Sequence, residues 1–252
     1  MSWQRRVFST MGTVASITFD SMSPNGADLR AVRAAFDHFD ATYSLYKPDS
    51  ELSLIASHVL ELGDASVEVR HTYAEALEWR AATQGEFSPH RPDGVIDLSG
   101  IVKALAMNAA GTELANMGAT NWCLNVGGDI LVSGLDDKVE PWAVGITDPF
   151  DRGELLTTAT LSGSRRACAT SGSAERGDHI WTIGAAPTQF VQATVVADDI
   201  VTADVLATAI IAGGPTALDH SCANWSIDVL TIDKEGEIRM TPGFAMHVPS
   251  EP

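Results

Sequence analysis

The chain has 252 residues, 45% of them hydrophobic, with 11 scattered prolines. That is enough to bury a sizeable core in one large domain or two intimately joined halves, and it excludes a disordered segment. The formal charge of −17, from 16 Lys and Arg against 33 Asp and Glu, repels nucleic acid and anionic lipid, so any phosphate must be met by a metal ion or by backbone dipoles.

The opening MSWQRRVFSTMGT has arginines but no apolar run behind them, so no secretory leader is expected. No later segment is expected to supply the ~20 apolar residues of a membrane span. Gln4 to Ser9 and Thr13 to Phe19 read as short strands around a Met11-Gly12-Thr13 turn; the second alternates Val14, Ser16, Thr18 against Ala15, Ile17, Phe19. A first helix follows from Ala27 to about Tyr43, with Leu29, Val32, Phe36, Phe39 and Tyr43 on one face and Asp28, Arg30, Arg33 and Asp37 on the other. Val69 to about Thr83 repeats the pattern more weakly. Ser99 to about Met117 is the longest helical segment, stopped by Gly118.

Strands then dominate. LNVGGDILVSG (124–134) reads as strand, tight turn, strand, followed by Trp142 to Thr147, Leu155 to Leu161, Ala167 to Thr170 and Ala193 to Val196. A helix carrying TADVLATA (202–209) and continuing as IIAGG comes next. Ile227 to Ile232 and Glu237 to Met240 close the chain around Lys234-Glu235-Gly236. The fold class is α+β, with mixed and antiparallel strands against packed helices rather than a regular βα alternation. Cys123, Cys168 and Cys222 are isolated, without a CxxC pair, which suits reduced thiols and a cytoplasmic setting.

Asp204 and Thr208 carry the strongest chemical signal. A four-residue step stacks their oxygens on one face of an otherwise apolar helix, a donor set that a hard cation such as Mg²⁺ accepts. The alternative is that Asp204 complements the helix N-terminus and Thr208 bonds back to a carbonyl. Gly127-Gly128-Asp129 is a hairpin turn or the approach site of a bulky ligand. Ala169-Thr170-Ser171-Gly172 ends a strand with amides and hydroxyls that can cradle a phosphate, or simply turns the chain. Arg176 and His179 follow in ERGDHI, where the histidine is a proton acceptor or a structural hydrogen-bonding residue. Asp97 suits a helix start. Lys103 is a surface lysine or, set among Ile101, Val102, Ala104 and Leu105, one aimed at an anion.

The order of MGT (11–13), SLYKPDSELS (44–53), IDLSGIVKA (96–104), LNVGGDILVSG (124–134), ATSG (169–172) with ERGDHI (175–180), and TADVLATA (202–209) resembles the ApbE-type FAD:protein FMN transferases over nearly the whole chain. The resemblance implies an ApbE-like, T-fold-like architecture. It also implies an enzyme that cleaves FAD with Mg²⁺ and passes the FMN moiety to a Thr or Ser hydroxyl of an acceptor protein, releasing AMP. Carried over residue by residue, Asp204 and Thr208 match the family's side-chain metal ligands, with the Gly100 carbonyl as a third. Met11, Tyr46, Asp97 and Lys103 fall where the family contacts FAD. Gly127, Gly128 and Asp129 match its flavin-pocket turn, Ser171 and Gly172 its serine-glycine turn, and His179 the histidine that helps to deprotonate the acceptor. Here HI is followed by WTIGAAPTQF, the usual insertion before IDLSG is short, Ala104 replaces a glycine and Asn108 an aspartate. An FAD pyrophosphatase and a non-catalytic FAD-binding protein remain the alternatives.

Overall fold

In the computed structural model, residues 3–20, 29–172 and 189–248 are described. Eight antiparallel strands form one sheet in the order β1-β2-β3-β4-β7-β8-β9-β10: β1 (Trp3–Thr10), β2 (Thr13–Asp20), β3 (Trp122–Val126), β4 (Asp129–Ser133), β7 (Ala167–Gly172), β8 (Phe190–Ala197), β9 (Asp228–Asp233) and β10 (Ile238–Met240). A separate hairpin pairs β5 (Trp142–Thr147) with β6 (Leu155–Leu161). The helices are α1 (Arg30–Tyr43), α2 (Glu51–Ala56), α3 (Val67–Ala82), α4 (Ser99–Asn116), α5 (Ile200–Asn224) and α6 (Pro242–His247), with a 3₁₀ turn at Leu62–Asp64.

The period of two along each strand sorts the sheet into two faces. Ala15, Ile17, Phe19, Leu124, Val126, Leu131, Ala169, Ala193 and Val195 turn toward the helices and join Val32, Phe36, Ile101, Met107, Leu206 and Ile210 in the larger core. Ile130, Val132, Cys168, Val196, Leu230 and Ile232 turn the other way and pack with Trp142, Val144, Ile146, Leu161 and Phe244 under the β5–β6 hairpin and α6. Over β4, β7, β8 and β9 both faces are covered, so strand positions that would meet solvent in a one-sided sheet are apolar there.

The fold extends beyond the expected elements at several points. α2, the 3₁₀ turn and α6 are additional, β7 reaches Gly172, and β8 begins at Phe190. α2 starts at Ser50, whose hydroxyl accepts the Ser53 N–H at 3.0 Å, and α6 starts at Thr241, capping Phe244 with Pro242 in the first turn. α5, at 25 residues and mean hydropathy 1.5, is long and apolar enough to cross a membrane, contrary to the expectation that no segment would be. Its composition has a core explanation: α5 packs on α4, β7 and β8, and Gly214 (φ +62°) with Pro215 kinks it. Its N-cap is Asp199, whose carboxylate accepts the Thr202 N–H at 2.8 Å, so the helix start does not depend on Asp204.

Candidate active site

The strand register brings the marked turns to one end of the sheet. Thr10 pairs with Thr13 across the Met11-Gly12 turn, Val126 pairs with Asp129 across Gly127-Gly128, and Ile130 opposite Cys168 carries β7 on to Ser171 and Gly172 beside them. Gly127 adopts φ +61°, and a Cβ there would lie 2.8 Å from Thr13 Oγ1, so the position needs glycine both for its backbone and for the close approach of β2. Its N–H donates to Val14 O at 3.1 Å, and the Gly128 N–H donates to Asn125 Oδ1 at 3.1 Å.

Beneath this end, three charged side chains from three elements meet on the helix side. Lys103, on the second turn of α4, is 7% exposed, Asp129 at the start of β4 is 1% exposed and Asp204 on α5 is 3% exposed. The Lys103 ammonium pairs with Asp129 Oδ2 and lies 3.3 Å from Asp204 Oδ1. Asp129 Oδ1 accepts the Thr170 N–H at 3.1 Å, tying β4 to β7. Burying a lone ammonium or carboxylate is costly, and the mutual pairing of the three offsets that cost in an apolar layer. Lys103 is thus aimed at an anion, and the anion belongs to the chain itself.

One turn beyond Asp204, Thr208 Oγ1 lies 3.2 Å from Ser171 Oγ, so the helix hydroxyl meets the strand-end hydroxyl. Asp204, Thr208 and Ser171 are all oxygen donors on neighbouring elements, next to a carboxylate-rich pair of charges. A hard divalent cation, which takes carboxylate and hydroxyl oxygens, fits this donor set. No cluster of three or more His, Cys, Asp or Glu is found among the described residues, so a cation here would rely on hydroxyls and carbonyls besides Asp204. Gly100 sits at the second position of α4, one turn before Lys103, with Phe87 so close that a Cβ would touch its ring at 3.0 Å.

Asp97 lies just before α4, where its Oδ1 accepts the Ser99 N–H at 2.9 Å and supports the first turn. Met11 is at the β1–β2 turn with φ +46°. Tyr46 stands apart from the buried cluster in the turn after α1, 81% exposed, its N–H donating to Ser44 Oγ at 3.3 Å. His179 and Arg176 lie outside the described residues.

The resemblance assigns Asp129 to the flavin-pocket turn; in the fold its side chain is buried and bridges Lys103 and β7, a contact that sequence reasoning does not supply. The signal for this is slight: one acidic residue opening an otherwise apolar strand, DILV. A cavity of about 300 Å³ was not anticipated. It lies on the opposite face, beneath β5–β6, and Arg5, Ser16, Thr18, Asn125, Thr170 and Gln192 supply its polar lining. The alternation of Ser16 and Thr18 against Ala15, Ile17 and Phe19 marks that polar face in the sequence. Thr170 joins the two sides: its N–H serves Asp129 while its hydroxyl meets Thr194 Oγ1 at 2.9 Å. Of the free cysteines, Cys123 and Cys168 are shielded, burial pushing their thiols up to about 12, whereas Cys222 is exposed.

The ApbE family model matches residues 11–95 and 90–230. Among curated proteins, an FAD:protein FMN transferase of Rhodobacter capsulatus is 30% identical over 158 residues, covering 58% of this chain and 30% of its own length. One from Klebsiella pneumoniae is 27% identical over 157 residues, covering 58% and 45%. The alignments thus span less than half the length of these relatives. Among solved structures, the flavin transferase ApbE of Vibrio cholerae superposes with TM-score 0.78 at 22% identity, covering 98% of this chain and 99% of that one. An ApbE protein of Thermotoga maritima superposes with TM-score 0.84 at 20% identity, covering 99% and 100%. At such identities these superpositions establish the shared fold.

Proposed function

This chain belongs to the ApbE family, and from that premise we propose that it is an FAD:protein FMN transferase, moving the FMN moiety of FAD to a Thr or Ser hydroxyl of an acceptor protein and releasing AMP. The single observation that carries the reading is the convergence, at one end of the sheet, of Lys103, Asp129 and Asp204 with the Ser171–Thr208 hydroxyl pair. These residues come from four separate motifs of the matched span, and the family match alone does not require them to touch.

In the proposed reaction the acceptor hydroxyl oxygen forms a bond to the phosphorus of the FMN half. The bond from that phosphorus to the AMP phosphate oxygen breaks, and the hydroxyl proton passes to a base. Transfer at phosphorus asks for in-line placement and charge neutralisation rather than covalent chemistry by the protein. Bound Mg²⁺ would supply the neutralisation, held by Asp204 and Thr208 with the Gly100 carbonyl as the third ligand carried over from the family. Lys103 adds a second positive charge in a buried layer, where such a charge acts strongly. Ser171 orients the Thr208 hydroxyl through their mutual hydrogen bond. His179 is assigned the role of base, while Met11, Tyr46, Asp97, Gly127, Gly128 and Gly172 are assigned to FAD. A chain with formal charge −17 handles an anionic dinucleotide in this way because the neutralising charge is local.

The test is an incubation of the purified protein with FAD, Mg²⁺ and a flavoprotein acceptor carrying a target Thr or Ser. Flavin fluorescence on the denatured acceptor, with one AMP formed per flavin attached, is the expected result. Free FMN and AMP without labelling would assign a pyrophosphatase instead, and FAD bound but unchanged would leave a binding protein.

A further inference from the structure

The buried ammonium of Lys103 and a divalent cation have a claim on the same carboxylate. Lys103 Nζ already lies 3.3 Å from Asp204 Oδ1, and all three charged groups are at most 7% exposed, so water cannot screen the repulsion between an ammonium and an arriving cation. Asp129 decides where the ammonium rests. Its one oxygen is fixed by the Thr170 N–H at 3.1 Å, and its other pairs with Lys103, so it anchors the lysine to the sheet, whereas Asp204 belongs to α5.

We propose that Lys103 is an internal counter-cation that sets the cation affinity of Asp204, with Asp129 as the positioning residue that draws the ammonium aside when a metal binds. This rests on the reading of Asp204 and Thr208 as a metal site. Without a metal, the ammonium is shared by the two carboxylates and offsets part of the cost of burying Asp204. On cation binding, the Lys103–Asp204 contact breaks and the Lys103–Asp129 pair remains. No proton transfer is needed. The arrangement makes the metal site stable when vacant at a cost in affinity.

Three consequences distinguish this from a merely structural ion pair. Removing the lysine charge takes away the ammonium that competes for Asp204 Oδ1, so cation binding tightens. Neutralising Asp129 releases the ammonium toward Asp204, so binding weakens. The second effect requires the lysine and disappears without it, a coupling expected of groups in one charge network.

The test is binding of Mn²⁺, read from the free-ion electron paramagnetic resonance signal, to the whole protein without FAD. Lys103→Met is expected to tighten binding about tenfold or more, and Asp129→Asn to weaken it about tenfold, as a like charge gained or lost at ~4 Å implies. The K103M/D129N double variant is expected to bind at least as tightly as the wild type. Unchanged or weaker binding by K103M, or a D129N defect that persists in the double variant, overturns the proposal. If K103M does not fold, D129N alone still decides: weaker binding with native melting behaviour supports the proposal, and unchanged or tighter binding overturns it. Equal Mn²⁺ binding by wild type and Asp204→Asn would instead show that the metal reading beneath the proposal is wrong, a failure distinct from the others.

Discussion

Two clusters of buried charge lie on opposite faces of the same sheet, and their arrangements are inverted. On the helix face, one cation, Lys103, sits between two carboxylates, Asp129 and Asp204. On the hairpin face, one carboxylate oxygen, Asp228 Oδ2, receives Arg165 Nε at 3.0 Å and His247 Nε2 at 2.9 Å. Arg165 also donates to Asp198 Oδ1 and to the Ser226 carbonyl and hydroxyl, while His247 Nδ1 faces Thr160 O at 2.9 Å. That second cluster ties β6, β9 and α6 together, with acceptors on every side of the Arg165 guanidinium. The first has negative charge in excess and hydroxyls beside it. The comparison teaches that burial of charge does not by itself mark a reactive site; the sign of the remainder and the neighbouring donors do.

The largest expected effect separates the two clusters by activity. Asp204→Ala removes the one carboxylate of the cation site, and because a metal's charge stabilisation at phosphorus is worth several kcal/mol, flavin labelling of an acceptor should fall by at least about a hundredfold. Asp228→Ala should leave labelling close to wild type. Labelling by D204A at the wild-type rate, or its loss in D228A while the protein stays folded, would reverse the assignment of the two clusters.

The next effect separates them by stability. Asp228→Ala strands Arg165 and releases α6, and should cost about 2–3 kcal/mol in denaturant unfolding, below the 3–5 typical of a fully buried pair because the Arg165 side chain is 19% exposed. A loss under ~0.5 kcal/mol would make this cluster an ordinary surface network.

How much of this was readable beforehand follows the same division. The Asp204–Thr208 spacing is local, one helical turn, and so is the Gly127-Gly128 turn between apolar strands; both are visible as pattern in the sequence. α1 is visible because Val32, Phe36 and Tyr43 recur on one face. The Lys103–Asp129–Asp204 contact is not local: it depends on which strands neighbour which, and the sheet places β4 against β7 rather than against β5. The same non-local topology hides the cavity under β5–β6. α2 and α6, with six residues each, are too short to show a helical period, although Ser50 and Thr241-Pro242 are start signals in the sequence. The start of β8 is hidden in the sequence because Phe190, Val191 and Gln192 follow a Pro-Thr-Gln stretch that reads as a loop.

A smaller effect tests whether the turn above the first cluster is set by backbone or by side chains. Gly127→Ala must hold φ +61° and bring a Cβ to 2.8 Å from Thr13 Oγ1, at a cost of about 1–2 kcal/mol. Gly128→Ala meets nothing within 4 Å and bears the backbone cost of φ +99° alone. G127A should therefore melt lower than G128A. The reverse order would show that Thr13 yields and that the close approach of β2 is not what fixes the turn.

The smallest effect is a pH slope from a histidine outside both clusters. His90, in the loop between α3 and α4, meets the Tyr73 hydroxyl through Nε2 at 2.9 Å, and burial first, then the nearby Arg80 charge, hold its proton affinity below the ordinary histidine value of 6.5. Unfolding restores the ordinary value, so between the two values the unfolded chain binds more protons than the folded one. The stability contribution is thus full above the ordinary histidine range and falls as pH drops through it toward the lowered value. The Tyr73 hydroxyl can accept as well as donate, so the contact survives protonation and the loss comes from charging a half-buried ring beside Arg80. Glu75, raised by burial, works in the opposite sense, losing stability as pH rises through the carboxylate range, so the two must be separated by mutation. Melting temperature followed from about pH 7.5 to 5.5 should fall more steeply in wild type than in His90→Gln. Parallel curves would mean that His90 carries no folding-linked proton and that acid sensitivity arises elsewhere in the molecule.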